Sequence, residues 1–203
     1  MRHRLCGGLF VLLAAIDPAS AGKFNKALSI GDAAPAWKGL PGTDGKEHAL
    51  DDFKGKDVVV VVFTCNSCPV AQGYESRLMA FAEANENVGV VAINVNTAKE
   101  DALPAMKARA TKKKYPFPYL YDPSQEIARK YGARYTPEFF VLDKHRKVIY
   151  MGSMDDKAPP GEAKMKYLEA AVQAARDGKT PEVKETSPAA GCGIKFNPKK
   201  ESD

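Results

Sequence analysis

The chain has 203 residues, enough for one domain with a sizeable core and too few for two domains joined by a linker. Hydrophobic residues at 44%, aromatics at 9% and charged residues at 27% match a soluble globular composition and exclude disordered, collagen-like and polytopic membrane chains. Thirty Lys and Arg against 25 Asp and Glu leave a net charge of +5, partly in a Lys-rich C-terminus, which is no nucleic-acid footprint.

Residues 1–21 read as a bacterial-type secretory signal peptide. Arg2 and Arg4 make the positive start, Leu5 to Ile16 the apolar run, and Ala19-Ser20-Ala21 the small-residue cleavage site before Gly22. A retained anchor fits less well, because the apolar run is about a dozen residues where a span needs roughly twenty. Cys6 leaves with the signal and lacks the small residues before it that a lipoprotein site needs. No later segment is apolar enough to span a membrane, so the mature chain is expected to be periplasmic or secreted, where disulfides persist.

Between Gly22 and Asp57 Gly and Pro are frequent, and Thr43-Asp44-Gly45-Lys46 has the composition of a hairpin turn, which predicts an N-terminal hairpin extension. Val58 to Phe63 is an unbroken apolar run containing five valines, the mark of a central strand buried on both faces of a parallel or mixed sheet. A helix is predicted over Val70 to Ala84, with Tyr74, Leu78 and Phe81 at helical spacing and Pro69 suited to its first turn. Val88 to Val95 is a second apolar strand, and Asp101 to Lys113 an amphipathic helix with Pro104 in its first turn. Phe117 to Tyr121 is extended, and a short helix over Ser124 to Tyr131 is capped by Ser124 and stopped by Gly132. Glu138 to Leu142 and Lys147 to Met151, joined by Asp143-Lys144-His145-Arg146, predict an antiparallel hairpin. A last helix is expected from Glu162 to Arg176, stopped by Gly178. The globular domain therefore spans 22–178. Residues 179–203, with Pro181, Pro188 and Pro198 and little apolar periodicity, read as a mobile tail carrying Cys192. The fourteen residues from Gly178 to Cys192 could span about 45 Å when extended, far enough to reach the other cysteines.

Without Cys6, three cysteines remain: Cys65, Cys68 and Cys192, an odd number that cannot form a fully paired disulfide framework. Cys65 and Cys68 make a Cys-x-x-Cys where the central strand gives way to a helix. There, free backbone N–H groups and the helix dipole favour the thiolate, and Cys65 is placed to benefit. The second sulfur lies one helical turn away, so a mixed disulfide on Cys65 can be resolved by Cys68. The same pair could instead form an inert disulfide or half of a metal site, although no second Cys-x-x-Cys completes four ligands.

These features resemble the thioredoxin-like redoxin family, in the peroxiredoxin-like branch bordering the alkyl hydroperoxide reductase and thiol-specific antioxidant proteins. The resemblance runs from about Ile30 to Arg176. It is carried by Leu50-Asp51-Asp52-Phe53-Lys54-Gly55-Lys56, the strand into Phe63-Thr64-Cys65-Asn66-Ser67-Cys68-Pro69-Val70, Tyr135-Thr136-Pro137-Glu138-Phe139-Phe140-Val141-Leu142-Asp143, and Gly191-Cys192-Gly193-Ile194-Lys195. It implies an α/β thioredoxin-like fold, with a central mixed sheet flanked by helices. It also implies Cys65 as the attacking thiol, Cys68 as the resolving thiol, and Thr136 with Pro137 as a cis-proline element offering a backbone edge to a partner's extended peptide. Three departures stand out. Thr64 and Val59 replace the Trp and buried Asp of thioredoxins. Ala71 stands where related extracytoplasmic reductases carry a Glu, leaving Glu75 one turn further on. With Cys68 aligned as a peroxidatic cysteine, Val61 and Cys65 replace the Pro and Thr that organise peroxide.

Of the remaining candidates, His48 and His145 read as solvated loop residues, Lys112-Lys113-Lys114 as a helix end and Asp155-Asp156 as loop. Ile194 and Phe196 offer an apolar pair for docking the tail, which leaves open whether Cys192 lies near the dithiol. The leading expectation is an extracytoplasmic thiol-disulfide oxidoreductase acting on protein thiols or disulfides with a redox partner protein and no cofactor, in which Cys192 is a candidate relay thiol. One alternative is a thiol peroxidase resolved through Cys192; another is a metallochaperone-type module holding Cu or Zn on Cys65 and Cys68.

Overall fold

The N-terminal hairpin forms where its turn residues place it. β1 (Leu40–Pro41) pairs antiparallel with β2 (Glu47–His48). The Gly42 N–H donates to the Lys46 carbonyl at 2.7 Å across the turn. In this computed structural model the described residues are 22–187 and 190–198, so the expected signal peptide, Cys6 and Pro188 lie outside them.

The valine run is β3 (Val58–Thr64), the middle of a five-stranded sheet. It runs parallel to β4 (Val88–Asn94), which is parallel to β5 (Tyr119–Tyr121). On its other side β3 is antiparallel to β7 (Glu138–Leu142), which pairs with β8 (Val148–Gly152) as the predicted hairpin. A central strand whose two faces are both covered by packed layers has no solvated side, which is why six apolar residues in a row are tolerated. Alternate side chains divide between two cores. Val59, Val61 and Phe63 pack with Trp37, Tyr131 and Phe140 on one face. Val58, Val60 and Val62 meet Tyr74, Leu78 and Phe81 of α1 (Pro69–Ala84) and Leu168, Ala171 and Val172 of α4 (Tyr167–Arg176) on the other. Each such fully buried aliphatic side chain contributes about 1.5–3 kcal/mol, so a charge at Val61 would abolish the fold.

α2 (Leu103–Lys113) inserts Met106 into the second core, preceded by a 3-10 turn at Lys99–Asp101 in place of the expected helical start. α3 (Glu126–Tyr131) ends at Gly132, whose φ of +66° suits glycine. A Cβ there would also collide with the Asn25 carboxamide, which ties the N-terminal segment to this corner by donating its amide to the Tyr131 carbonyl at 2.7 Å while its oxygen accepts the N–H groups of Ala27 and Leu28. The expected Ser124 cap is displaced. Gln125 is the capping position, and the Asp122 carboxylate accepts the N–H groups of Gln125 and Ile127, while the Ser124 hydroxyl accepts only from Glu126. α4 begins at Tyr167 rather than Glu162, because residues 162–166 are held in a loop. Asp156 accepts the Lys164 and Met165 N–H groups, and the Arg77 guanidinium bonds the Lys157 and Gly161 carbonyls.

The C-terminal segment, expected to be a mobile tail, has its described residues docked against the domain. Residues 184–187 run along β8, with the Met151 N–H donating to the Lys184 carbonyl and the Thr186 N–H to the Met151 carbonyl, both at 3.0 Å. Beyond them β9 (Cys192–Gly193) pairs antiparallel with β6 (Tyr135–Thr136), and Ile194 and Phe196 join the first core. Among the described residues no helix is long and apolar enough to cross a membrane.

Candidate active site

β3 delivers the chain to Cys65 at the C-terminal end of the sheet, and α1 starts four residues later. Cys68 is the N-cap of α1 with Pro69 in its first turn; its Sγ accepts the Ala71 N–H at 3.4 Å. This corrects the sequence reading, which gave the benefit of the helix terminus to Cys65. Both sulfurs belong to buried residues, Cys65 3% and Cys68 2% exposed, and all three described cysteines are free thiols.

Thr136 and Pro137, joined by a cis peptide bond, close the other side of the pair. Thr136 Oγ1 lies 3.4 Å from Cys65 Sγ, and the Thr136 carbonyl lies 3.2 Å from Cys68 Sγ, which donates to it when protonated. Pro137 lines a small apolar hollow with Thr64, Ala71 and Tyr74. Glu138, the next residue, accepts the Arg134 and Tyr135 N–H groups and so holds the approach to β6; burial pushes its carboxyl up.

The structure supplies a buried carboxylate that the sequence reading had found missing. Asp101, 0% exposed, reaches across from the turn before α2. Its Oδ1 accepts the Asn66 N–H at 2.6 Å and the Ser67 N–H at 3.1 Å, and its Oδ2 accepts the Ser67 hydroxyl at 2.6 Å. Asn66 is fixed further by donating to the Glu100 carbonyl and accepting from the Tyr119 hydroxyl. Asp101 thus holds both residues between the cysteines, 34 to 35 positions away in sequence. No local signal marks it, since an acid ahead of a helix is also what capping requires. Glu75 does not serve the thiols in this way. Burial works to raise its pKa, but hydrogen bonds from Arg109, Tyr115 and Lys113 prevail and hold it below the usual carboxylate range.

The reduced thiols share their protons unequally. Cys65 is pushed well up by its hydrogen bond to Cys68, by burial and by the nearby Asp101 charge. Cys68 is pushed down chiefly because Cys65 donates to it, with further help from Cys192 and the Ala71 N–H against burial. The reduced pair therefore holds one shared proton and one negative charge between its two sulfurs, with Cys68 at the positive end of α1.

The backbone edge at Thr136, expected to be open to a partner peptide, is occupied by the chain itself. β9 lies on it with Cys192 opposite Thr136 and Gly193 opposite Tyr135. Cys192 packs against the small cluster that Cys65, Cys68 and Ala71 form. His48 is bonded to Asp44 in the N-terminal hairpin, apart from the thiols. Among the described residues no group of three His, Cys, Asp or Glu side chains is arranged to hold a metal ion.

Known proteins share this arrangement of elements. A hypothetical protein from Sinorhizobium meliloti 1021 superposes with a TM-score of 0.79 at 34% identity, over 86% of this chain and 98% of its own. The thiol-disulfide oxidoreductase ResA of Geobacillus thermodenitrificans (strain NG80-2) is 28% identical over 153 residues, 72% of this chain and 84% of that protein. The chloroplastic peroxiredoxin Q of Populus jackii is 32% identical over 110 residues, covering 54% of this chain and 48% of that protein. The Redoxin family model matches residues 29–168, from the segment ahead of the N-terminal hairpin into α4 and across both Cys65-Cys68 and Thr136-Pro137, and the chain belongs to the Redoxin family.

Proposed function

We propose that the chain is an extracytoplasmic thiol-disulfide oxidoreductase working through a Cys65–Cys68 dithiol and disulfide, with protein disulfides or thiols as substrates and a redox partner protein to reset it. One observation carries the reading: two hydrogen-bonded thiols at a strand-to-helix junction, one on the helix N-cap, face the hydroxyl and carbonyl of Thr136. The signal-like residues 1–21 support the compartment.

In the reducing direction, Cys65 Sγ attacks one sulfur of a partner disulfide as the one proton shared by the pair settles on Cys68. The partner's other sulfur leaves with the electron pair. Cys68 Sγ then attacks Cys65 Sγ, its proton passing to the departing partner thiolate, and the Cys65–Cys68 disulfide remains. The partner gains two electrons, one proton from the site and a second from solvent. The Thr136 hydroxyl, 3.4 Å from Cys65 Sγ, turns its proton from the Cys192 carbonyl to stabilise the sulfur as charge develops, while the Ser67 hydroxyl at 3.8 Å stays donated to Asp101. Asp101 is a positioning residue: it fixes the loop between the sulfurs and touches neither substrate nor reacting atoms. Peroxide chemistry has weaker support, since Val61 and Cys65 occupy the positions that would organise peroxide about Cys68.

The test is to mix Cys68→Ser with an oxidised protein substrate and look for an accumulating mixed disulfide. The proposal expects a stable adduct on Cys65, absent from Cys65→Ser. Adducts on neither cysteine, with wild type failing to reduce the substrate, would refute it.

A further inference from the structure

The C-terminal segment brings a third sulfur to the site and holds it from both sides. Before it, Gly191 approaches the Thr136 carbonyl so closely that a Cβ there would lie 3.2 Å from the oxygen. At Cys192 the carbonyl accepts the Thr136 hydroxyl at 3.5 Å, with the two residues opposite each other in the β6–β9 pair. After it, the Ile194 N–H donates to the Arg134 carbonyl at 2.9 Å, and Ile194 is buried in the core. The buried Gln125 side chain then donates to the Lys195 carbonyl and accepts the Asn197 N–H, and the Arg129 guanidinium lies 4.4 Å from the Phe196 ring centre. An unused cysteine would need no such fixing.

The placement also selects a partner. Cys192 packs beside the dithiol, where its thiol interacts with that of Cys68, while the side-chain contacts of Cys65 are to Cys68, Thr136 and Ser67. Cys192 is half-buried where the other two are buried, so it is the sulfur nearest to solvent.

We propose that Cys192 is a third redox thiol of the site, exchanging with the Cys65–Cys68 disulfide by attack on Cys68. This rests on the dithiol reading above. Cys192 Sγ, losing its proton, attacks Cys68 Sγ; the Cys68–Cys192 bond forms and the Cys65–Cys68 bond breaks. The electron pair leaves on Cys65 Sγ, which takes up a proton, so the step is redox-neutral and requires no added oxidant. Two consequences follow for the oxidised protein. β9 becomes covalently fastened over the Thr136 edge, excluding a partner strand from it. The disulfide also moves from two buried sulfurs to one that includes Cys192, where an incoming reductant thiol can attack.

The experiment uses the purified chain and its Cys65→Ser, Cys68→Ser and Cys192→Ser variants. Each is held in oxidised glutathione, quenched with acid, alkylated and mapped by peptide mass spectrometry. Cys65→Ser is expected to carry mostly a Cys68–Cys192 bond. Separate thiols or separate glutathione adducts, in Cys65→Ser and in Cys65→Ala alike, would overturn the proposal. Cys68→Ser is expected to form Cys65–Cys192 at least about tenfold less, because the effective concentration of Cys192 is high only at Cys68; an equal or greater yield would overturn the pairing. Wild type and Cys192→Ser report on the underlying reading separately. A Cys65–Cys68 bond in them, without Cys68–Cys192 in Cys65→Ser, removes only the third thiol, whereas its absence from both removes both claims.

Discussion

Replacing Asp101 separates its structural duty from its electrostatic one. Asp101→Ala leaves the Asn66 and Ser67 N–H groups without their acceptor, and the Ser67 hydroxyl as well. A buried donor left unpaired costs about 1–3 kcal/mol, and the part-buried Ser67 hydroxyl can turn to water, so the two backbone donors set an expected loss of about 2–6 kcal/mol. Asp101→Asn retains an acceptor oxygen at the Oδ1 position, and the Ser67 hydroxyl can turn to accept from the new amide. Its expected cost is about 1 kcal/mol. Both variants remove a negative charge that raises the Cys65 thiol, so the pH at which that thiol ionises should fall. Urea unfolding of the reduced proteins, followed by circular dichroism, measures the first effect; the pH profile of iodoacetamide alkylation, resolved by site, measures the second. A loss below about 0.5 kcal/mol in Asp101→Ala would refute the structural argument. An Asp101→Asn profile that stays put or moves to higher pH would refute the electrostatic one.

Gly132→Ala places a side chain at a φ of +66° and against the Asn25 carboxamide, so a loss of at least about 1–2 kcal/mol is expected in thermal or urea melts; an unchanged midpoint contradicts it. Gln125→Ala removes two ties to the C-terminal segment, and Cys192 alkylation in the reduced protein should accelerate by about tenfold, the factor for about 1.4 kcal/mol. An unaltered rate would show that β9 is held without them. Glu75 has a folded pKa below its ordinary 4.5, so its stabilisation is present above that pH and is lost as pH falls through the folded value. Glu75→Gln should therefore be less stable at neutral pH and show a flatter acid limb than wild type in unfolding curves between pH 5 and 3, and parallel limbs would contradict the assignment.

What could be read from the sequence was local. Val58 to Phe63 announces a central strand because burial on both faces requires an unbroken apolar run, and the β7 and β8 segments announce a hairpin because only five residues join them. Cys65, Cys68, Thr136 and Pro137 were found as short motifs, and the fold brings all four together. What escaped depends on distant partners. Asp101 looks like a helix-start acid until β4 and the turn after it carry it under the Asn66-Ser67 loop. The C-terminal segment looks mobile because its anchors are Gln125, Arg134 and Thr136, none marked by periodicity. The start of α4 escaped because Arg77 and Asp156 hold residues 157–165 in a loop whose composition is compatible with helix. Assigning the cap to Cys68 rather than Cys65 turned on where the first helical N–H groups point, a matter of one turn of backbone.

The most direct measurement of the central claim is a redox titration of the Cys192→Ser variant, in which only Cys65 and Cys68 can pair among the described cysteines. The protein is equilibrated across a graded glutathione and dithiothreitol series, trapped by alkylation and read by mass spectrometry. The account predicts a Cys65–Cys68 disulfide that opens and closes reversibly, with a midpoint in the range of exchange proteins, about −120 to −270 mV. A pair that stays reduced throughout, or that opens only once the protein is unfolded, would contradict it.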